Sequence, residues 1–481
     1  MACAEGPGIV GGRSRLQPVA ALLVFVMAWA AFASMLPAYW RHDDFGWQHV
    51  AREWEEGHQS LWERVGFTPA YNLLYHTLHL AAGRDPVPYR AVFTTIHALT
   101  AVAVAWLCLI LTDSRLAAAW AGALFALHFV HHEAVGWIAA TVHLPAAALA
   151  ILAVGCWTAG RRRDDARLLV LAVALAALAP MFKESGLAVF PLIAAAELVL
   201  PLPRAGSGGP VLAALAALPA ALYVALRLSV GVWTEVVPAG GELYDLGPHV
   251  LVNLAACVPQ MIVPDMAFEN YRALLGRVLT PAVVPAAVIA SRALIGLLAA
   301  ASVYLLVRGS DRVRFAVAWM YLAFLPTAPF VYEYARAPRY LYLPSAGLAL
   351  LFGIAVASAV RRWPGRGLAI TAVAAVVLAA NLVPLGVFAR SRLRDSRIRR
   401  TIAQELPRVL PDPRPGQRVG IRGVPGHIND LGLMALMLYG RHVEIVPLPE
   451  GEPARSVDSL LTLERGRLWR AQDRSRRQSR D

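Results

Sequence analysis

Apolar runs of about twenty residues recur along this chain, and they restrict its fold more than any other feature of the sequence. A run of this length crosses the hydrocarbon core of a bilayer as one helix. Backbone polar groups are satisfied inside a bilayer only by helices or closed barrels. Of the 481 residues, 58% are hydrophobic and 16% are charged. The sequence therefore predicts an all-α polytopic membrane protein and argues against a soluble enzyme.

The runs predict eleven membrane spans. They are expected near residues 18–36, 91–111, 115–130, 141–159, 166–182, 186–202, 210–230, 282–307, 314–331, 340–360 and 367–389. A shorter run, residues 249–264, contains Asn253 and two prolines, and we predict that it is re-entrant or interfacial. Counting it as a span would put the basic turns 308–314 and 361–366 on the side opposite the earlier basic turns. That arrangement would conflict with the preference of arginine for the cytoplasmic side.

Charge placement gives this topology its orientation. Arg13 and Arg15 precede the first span, so we expect a retained first span with its N-terminus in the cytoplasm. The net charge is +13, but the basic residues lie mostly between and after the apolar runs. There they act as topology signals and lipid headgroup contacts, which argues against a nucleic-acid partner. The four cysteines show no CxxC spacing, so no disulfide framework is predicted.

Composition divides the chain into three predicted parts. Residues 1–389 form the transmembrane domain, residues 390–470 a small soluble α/β appendage, and residues 471–481 a disordered basic tail. The predicted elements of the appendage are a strand at 418–424, a helix at 428–439 and a strand at 442–446. On the predicted topology the appendage lies on the outer side, together with the loops 37–90, 128–140, 183–184, 231–281 and 332–339.

The first outer loop is expected to contain two amphipathic helices that lie in the membrane interface. Their apolar stripes follow helical spacing and comprise Trp47, Val50, Trp54 and Leu61 in the first helix, and Tyr71, Leu74, Tyr75 and Leu78 in the second.

Two adjacent carboxylates, Asp43 and Asp44, stand at the outer end of the first span. An acidic pair at a bilayer surface costs electrostatic free energy, so such a pair usually has a partner or a function. We predict a functional role for both residues. The alternative is an acidic pair that hydrates the loop or binds Arg41.

A dense polar cluster, residues 128–133, lies at the outer end of the third span. If this segment is helical, His128, His131 and His132 share one face next to Glu133. Histidines so placed can bind a divalent metal, with Asp43 as a further ligand, or they can hydrogen-bond a phosphate. The alternative is a polar cap that solvates a helix end. No other cofactor is predicted.

Cations also occur on the predicted outer face. Lys183, the only lysine of the chain, precedes Glu184 in a short turn, and a compact ammonium suits a phosphate or carboxylate partner. Arg336 and Arg339, close to Tyr342, lie against the positive-inside trend, and a lipid phosphate is the nearest anion that explains them. The alternatives are a solvated ion pair for the turn and headgroup anchoring for the arginines.

Together these groups offer carboxylates that can act as bases and cations that can bind anions. A carboxylate can deprotonate an acceptor hydroxyl while cations stabilise a departing phosphate. The combination predicts the removal of a group from a phosphate.

Four stretches of the chain, in this order, resemble the GT-C-fold membrane glycosyltransferases. The resemblance is closest to the branch of the transmembrane tetratricopeptide-repeat O-mannosyltransferases and their bacterial relatives. The four stretches are Asp43-Asp44, Leu127–Val135, Phe182–Gly186 and Arg339–Gly347. Residues 71–74 and 88–97 also fit the family's first-loop pattern.

The resemblance implies an inverting transfer from a polyprenyl-phosphate-linked sugar on the extracytoplasmic face. A first-loop aspartate would be the base, with Asp44 preferred and Asp43 held instead by Arg41 or a metal. The donor phosphate and the acceptor would lie against Lys183, Glu184, Arg336, Arg339, Tyr342, His128, His131 and Glu133.

The chain departs from the family pattern at several positions. The family's Gly-Arg-x-Asp stretch is here Ala140–His143, and the glutamate before the late arginine is Pro338. The tetratricopeptide repeats are absent and the α/β appendage takes their place. Protein O-mannosylation is therefore not carried over.

We accordingly predict a glycosyltransferase whose partners are a polyprenyl-phosphate sugar, a protein or glycolipid acceptor and membrane lipids. Ala-rich, Arg-rich usage suggests a bacterial inner membrane, with the site facing the periplasm. One alternative is a polysaccharide ligase or polymerase that uses a polyprenyl carrier. The other is a transporter or lipid flippase, which would carry charged residues deep in mid-span.

Overall fold

The computed structural model describes residues 18–58, 60, 67–203, 209–229, 246–263, 284–331, 337–449, 457–464 and 466–470. The helices of these residues are α1 (Pro18–Ala33), α2 (Asp43–Glu55), α3 (Pro69–Ala82), α4 (Pro86–Thr112), α5 (Arg115–Leu127), α6 (His132–Gly136), α7 (His143–Arg163), α8 (Ala166–Phe182), α9 (Val189–Val199), α10 (Gly209–Ser229), α11 (His249–Ile262), α12 (Val284–Arg308), α13 (Asp311–Phe324), α14 (Pro344–Arg362), α15 (Gly367–Val409) and α16 (Leu431–Tyr439). Short 3₁₀ turns occupy Phe129–His131, Ile138–Ala140, Glu184–Ala188, Pro338–Leu341 and Pro364–Arg366.

Each predicted span overlaps one of these helices. Four helical stretches, Pro86–Thr112, Ile138–Arg163, Pro344–Arg362 and Pro364–Val409, are long and apolar enough to cross a membrane. Other apolar helices, among them α1, α5 and α8, are shorter than eighteen residues. The structure thus supports a helical membrane protein, and the count of eleven spans stays a prediction.

Helix α4 lies at the centre of the bundle, against α1, α5 and α7. The contact of α5 with α14 is close because small residues line it. A Cβ added to Gly353 would lie 2.3 Å from the Ala117 carbonyl oxygen. Close backbone approach of this kind is how membrane helices gain packing energy without a hydrophobic driving force.

Three of the predicted cytoplasmic turns meet at one end of the bundle. Residues of these turns and of the adjoining helices line one small cavity, namely Thr112, Ser114, Ala117, Ser310, Arg312, Ile354, Ala357, Ser358 and Arg361. At the other end α11 lies along α13. The Asn253 amide donates to the Ala328 carbonyl (2.9 Å), and the Cys257 Sγ lies 3.8 Å from the Met320 carbonyl oxygen. Since residues 264–283 are outside the described part, the predicted re-entrant course stays a prediction.

The two helices predicted for the first outer loop are present as α2 and α3, and their position in the membrane interface stays a prediction. Trp47 of α2 packs edge-on against Tyr71 of α3, with ring centroids 5.1 Å apart, and lies 5.0 Å from Tyr75. Tyr75 in turn lies 5.2 Å from Tyr89 of α4. These aromatic contacts fix the loop on the bundle. Leu61 of the predicted stripe lies outside the described residues.

The appendage contains a sheet of the order β2-β1-β3-β4, where β1 is Arg418–Arg422, β2 Glu444–Leu448, β3 Ser459–Glu464 and β4 Arg467–Arg470. β1 pairs in parallel with β2 and β3, and β3 pairs antiparallel with β4. Helix α16 connects β1 to β2. The predicted strand, helix and strand are confirmed, with the second strand two residues later than expected. Helix α15 runs without a break across the predicted boundary at 389/390, and the tail 471–481 lies outside the described residues.

Candidate active site

The two adjacent aspartates begin helix α2 in opposite surroundings. Asp43 is exposed, whereas Asp44 is fully buried. One Asp44 oxygen accepts a hydrogen bond from the Ala139 N–H (2.7 Å) and the other accepts from the Arg41 N–H (3.1 Å). Asp44 therefore ties the first outer loop to the loop at residues 128–140, and Asp43 is left as the accessible carboxylate.

Burial dominates the ionisation of Asp44. Removal from water raises the pKa of Asp44 to about 8, although the Arg90 guanidinium and the Ala139 N–H both act to lower it. The neighbouring Asp43 and the carboxylate of Asp430 add to the rise. Near neutral pH this carboxyl group thus keeps its proton in a large fraction of molecules.

Arg90 also connects the first outer loop to the loop at residues 128–140. Its guanidinium is buried and donates to three backbone carbonyls, those of Ala38 (3.0 Å), Tyr39 (3.2 Å) and Gly136 (2.9 Å). A planar fork with five donors suits such a task, and a lysine could not satisfy the three acceptors in the same geometry.

Trp137 lies at the meeting point of the loops. The Arg41 guanidinium lies over its ring at 4.7 Å, and the Arg339 guanidinium lies 5.2 Å from the same centroid. The His42 ring contacts it edge-on at 5.9 Å. Two cations therefore lie against one indole ring, and they place positive charge beside His42, the residue immediately before Asp43.

Arg339 also forms a two-point contact with Glu133. Its guanidinium lies 2.9 Å from one carboxylate oxygen, and its backbone N–H donates to the other at 3.1 Å. Both side chains are partly exposed, at 19% and 13%. The pair fixes the turn Pro338–Leu341 against the 128–140 loop and leaves the guanidinium within reach of solvent.

The polar chain continues from Arg339 to Lys183. Tyr340 lies under the Arg339 guanidinium at 4.9 Å and contacts the His143 ring edge-on at 5.3 Å. The Ser185 Oγ lies 3.5 Å from His143 Nδ1. Ser185 adjoins Glu184 and Lys183, so the stretch Phe182–Gly186 joins the other three motif stretches through His143. His143 stands where the family pattern has aspartate.

Lys183 and Glu184 form a close ion pair, with Nζ 2.5 Å from Oε1. Burial alone would raise the pKa of Glu184, but the charge and hydrogen bond of Lys183 hold it below its ordinary value. The second carboxylate oxygen of Glu184 is buried and has no hydrogen-bond partner among the described residues. The site thus holds an ionised glutamate with one acceptor free.

The three histidines of the 128–133 cluster do not face this polar chain. His131 Nε2 lies 2.8 Å from the Ser345 Oγ, and His132 stacks on Phe388 at 3.7 Å. His128 accepts from the Val130 N–H (3.3 Å) and so caps the turn that follows it. These contacts pin the loop onto α14 and α15.

Tyr342 belongs to the same buried layer. Its hydroxyl lies 2.9 Å from His97 Nδ1, and its ring lies 4.7 Å from the His131 ring. The structure therefore places His128, His131 and Tyr342 beneath the site, while Glu133 and Arg339 lie in it. Arg336 is outside the described residues.

A metal held by Asp43 and the three histidines does not fit these positions. In the part of the chain that the structure describes, the group that brings three such ligand atoms within 4.8 Å of one another is Glu53, Glu56 and His58. It is a largely exposed cluster on α2 and the turn after it. One nitrogen of each histidine is engaged, by Ser345 or by the backbone of the loop. The buried Nδ1 of His131 has no hydrogen-bond partner among the described residues.

Sequence reasoning missed four residues that build the site, namely Arg41 as a cation of the site, Arg90, Trp137 and His143. The sequence pattern indicates Arg41 only as a partner of the aspartates. For Arg90 a signal existed, because an arginine five residues into an apolar helix needs buried acceptors. Trp137 and His143 carry no such signal, since their roles depend on loops distant in sequence.

No family model matches the sequence, and no curated protein matches it. The fold is similar to that of solved membrane proteins. Archaeal oligosaccharyltransferase AglB from Archaeoglobus fulgidus, in complex with an inhibitory peptide and a dolichol-phosphate, is 16% identical with a TM-score of 0.47, over 90% of this chain and 64% of that chain. ArnT from Cupriavidus metallidurans, bound to undecaprenyl phosphate, is 13% identical with a TM-score of 0.48, over 89% and 85%.

Both are GT-C-fold membrane glycosyltransferases, the class that the sequence motifs resemble. The chain spans less than two thirds of the length of AglB.

Proposed function

We propose that this protein transfers a sugar from a polyprenyl-phosphate-linked donor to an acceptor hydroxyl, with inversion at the anomeric carbon. One observation carries the proposal. The four motifs converge on one continuous polar chain, which runs from the Asp43 loop through Trp137 to Arg339, His143 and Lys183. Such a site combines an accessible carboxylate with several cations at one end of a membrane bundle.

We assign the base to Asp43 and a structural role to Asp44. A general base must reach the proton that it removes. Asp43 is exposed, whereas both oxygens of Asp44 already accept backbone hydrogen bonds. This assignment differs from the sequence-based prediction, which prefers Asp44 as the base.

Three cations are placed to bind the donor phosphate. Arg41 is only 6% exposed, and the buried Nε of its guanidinium has no hydrogen-bond partner among the described residues. Arg339 and Lys183 are held in position by Glu133 and Glu184. Cations that are fixed before the reaction stabilise the charge of a departing phosphate without reorganisation. Arg336 joins this set as a prediction from sequence.

The reaction follows from these positions. The Asp43 carboxylate takes the proton of the acceptor hydroxyl, whose oxygen forms a bond to the anomeric carbon from the face opposite the phosphate. The bond between that carbon and the phosphate oxygen breaks, and polyprenyl phosphate leaves with the electron pair. Arg41, Arg339 and Lys183 stabilise the leaving phosphate. The acceptor is a protein or a glycolipid, and the site faces the periplasm of a bacterial inner membrane.

The positions of buried charges favour this proposal over transport. The described buried arginines of the spans lie near helix ends, with Arg90 at the start of α4, Arg161 at the end of α7 and Arg227 at the end of α10. Arg292, near the middle of α12, is exposed.

A transport pathway inside the bundle would place buried charged side chains at the middle of the bilayer.

The direct test supplies the purified protein in lipid with a panel of polyprenyl-phosphate sugars and a panel of hydroxyl acceptors. Release of polyprenyl phosphate is followed together with the anomeric configuration of the product. We expect release with one donor class and an inverted product. A retained configuration, or release that persists unchanged in Arg339→Gln and Lys183→Gln, would rule out the proposed roles.

A further inference from the structure

The soluble appendage contacts the residue that precedes Asp43. Asp430, at the start of α16, is 4% exposed. Its Oδ2 accepts a hydrogen bond from the backbone N–H of His42 at 2.7 Å. The same oxygen lies 2.8 Å from Nε of Arg399, which is also buried. The buried ion pair between Asp430 of the appendage and Arg399 of α15 thus contacts the backbone of the first outer loop.

Asp430 does not form the hydrogen bond that its position in the chain would favour. It occupies the N-cap position of α16, where an aspartate ordinarily accepts from the first free N–H groups of its own helix. In this structure its side chain makes no such capping bond. The carboxylate is turned instead toward Arg399 and His42.

The backbone that Asp430 holds is strained. His42 has φ 46° and ψ −126°, a region that residues with a Cβ rarely adopt. Such a conformation persists only where the surrounding structure fixes it, and it concentrates at functional sites. His42 is the residue immediately before Asp43, so its dihedral angles set the direction of the chain at Asp43 and thereby the orientation of that side chain.

Other contacts bring the appendage and the end of α15 onto the same loop. The Tyr39 N–H donates to the Ser396 Oγ at 2.5 Å, and the Arg400 guanidinium donates to the Pro37 carbonyl at 2.9 Å. From the other side, Arg84 donates to the Met437 carbonyl at 3.0 Å. The loop is thus held at several points by residues after 389.

We propose that Asp430, supported by Arg399, is a positioning residue that fixes the strained His42 backbone and so aims Asp43 at the acceptor. This inference rests on the proposed function, since it assigns the α/β appendage a role in that reaction. Asp430 does not touch the reacting atoms and acts only through His42.

The test compares Asp430→Ala and Asp430→Asn with Asp412→Ala in the full-length protein. Asp412 is a matched control, because it pairs with Arg441 at 3.0 Å within the appendage and is exposed. Hydrogen exchange of residues 37–46 is measured by mass spectrometry, with residues 86–112 as internal reference. The kcat and KM of sugar transfer are measured in parallel.

We expect Asp430→Ala to speed exchange in residues 37–46 and to lower kcat about 100-fold, the scale of a 1 Å misplacement. The KM for the donor should change less than about two-fold, because donor contacts remain. Asp430→Asn keeps an acceptor for the His42 N–H and should show a smaller effect on both readouts. Asp412→Ala should match wild type.

Unchanged exchange in residues 37–46 in both Asp430 variants would overturn the inference, whatever their activity. Equal losses of kcat in the Asp430 and Asp412 variants would also overturn it. If the wild type transferred no sugar at all, the proposed function would fail, and exchange alone would still decide whether Asp430 holds the loop.

Discussion

Neighbouring residues of the same type can have different roles because a helix turns by about 100° at each residue. Asp43 and Asp44 show this at the start of α2, where one carboxylate is exposed and the other accepts from the Ala139 N–H. From the sequence alone, the acidic pair is expected to cost electrostatic free energy at a membrane surface. The sequence cannot distinguish the two aspartates, because the Ala139 N–H that binds Asp44 belongs to a loop 95 residues later in the chain.

The raised pKa of Asp44 predicts a pH dependence of stability. Between about pH 4 and about pH 8 the unfolded chain releases this proton while the folded chain retains it, so the free energy of unfolding falls as pH rises. The dependence from this group ends above the folded pKa. We therefore expect the melting temperature of the wild type to fall relative to Asp44→Asn between pH 5 and pH 8. A constant difference between the two proteins across that range would contradict the raised pKa.

Trp137 is predicted to affect binding of the donor. Its ring carries both Arg41 and Arg339, and each cation–π contact contributes about 0.5–2 kcal/mol. Trp137→Leu should therefore raise the KM for the polyprenyl-phosphate sugar about ten-fold. Trp363→Leu is the matched control, since Trp363 is 52% exposed and lies at the predicted cytoplasmic end. Equal KM values in both variants would show that Trp137 does not contribute to binding of the donor.

At the scale of elements, helix existence was predictable and the direction of side chains was not. Apolar runs and amphipathic stripes predict the described helices because burial and spacing act locally. If the 128–133 cluster were one helix, its histidines would share one face. It is instead a 3₁₀ turn followed by the short helix α6, and contacts with Ser345 and Phe388 turn the histidines inward. Those partners lie more than two hundred residues later, so no local pattern reveals them.

Arg90 is predicted to hold two loops together. Arg90→Lys leaves a charge but cannot bridge the carbonyls of Ala38, Tyr39 and Gly136. We expect a loss of about 3 kcal/mol in the free energy of unfolding, as for other buried charges that lose their partners. Thermal unfolding in detergent measures it. Arg163→Lys, at the exposed end of α7, should unfold like the wild type, and equal losses in both variants would contradict the role of Arg90.

At the scale of the whole molecule, charge bias predicts the sidedness of the loops. Residues of the turns 112–115, 308–314 and 361–366 line one cavity, so these three turns lie at the same end of the bundle, and the side of the membrane that this end faces stays a prediction. The arginines after residue 389 strain the same rule, because the predicted topology puts them on the outer side. The structure places Asp430 on His42, so the appendage and the Asp43 loop share one side. Composition alone could not show that contact.

Labelling with a membrane-impermeant maleimide in intact cells tests this sidedness. Cysteines are introduced one at a time at Asp412 in the appendage, at Asp85 in the first outer loop and at Ser310 in a predicted cytoplasmic turn. Cys108, Cys156 and Cys257 are buried, and the unsubstituted protein gives the background. We expect labelling at 412 and 85 and none at 310. Labelling of 310 together with 412 would overturn the topology.

The central claim is that Asp43 is the base of sugar transfer from a polyprenyl-phosphate donor. The measurement that tests it most directly is the single-turnover rate of polyprenyl phosphate release by Asp43→Asn, alongside Asp44→Asn and Asp85→Asn. Asp85 is an exposed carboxylate of the same loop that caps α4, and asparagine caps equally well. We predict that Asp43→Asn slows release by about 10²–10⁴-fold, that Asp44→Asn slows it less and that Asp85→Asn matches wild type. An Asp43→Asn protein that releases polyprenyl phosphate at the wild-type rate would contradict the claim.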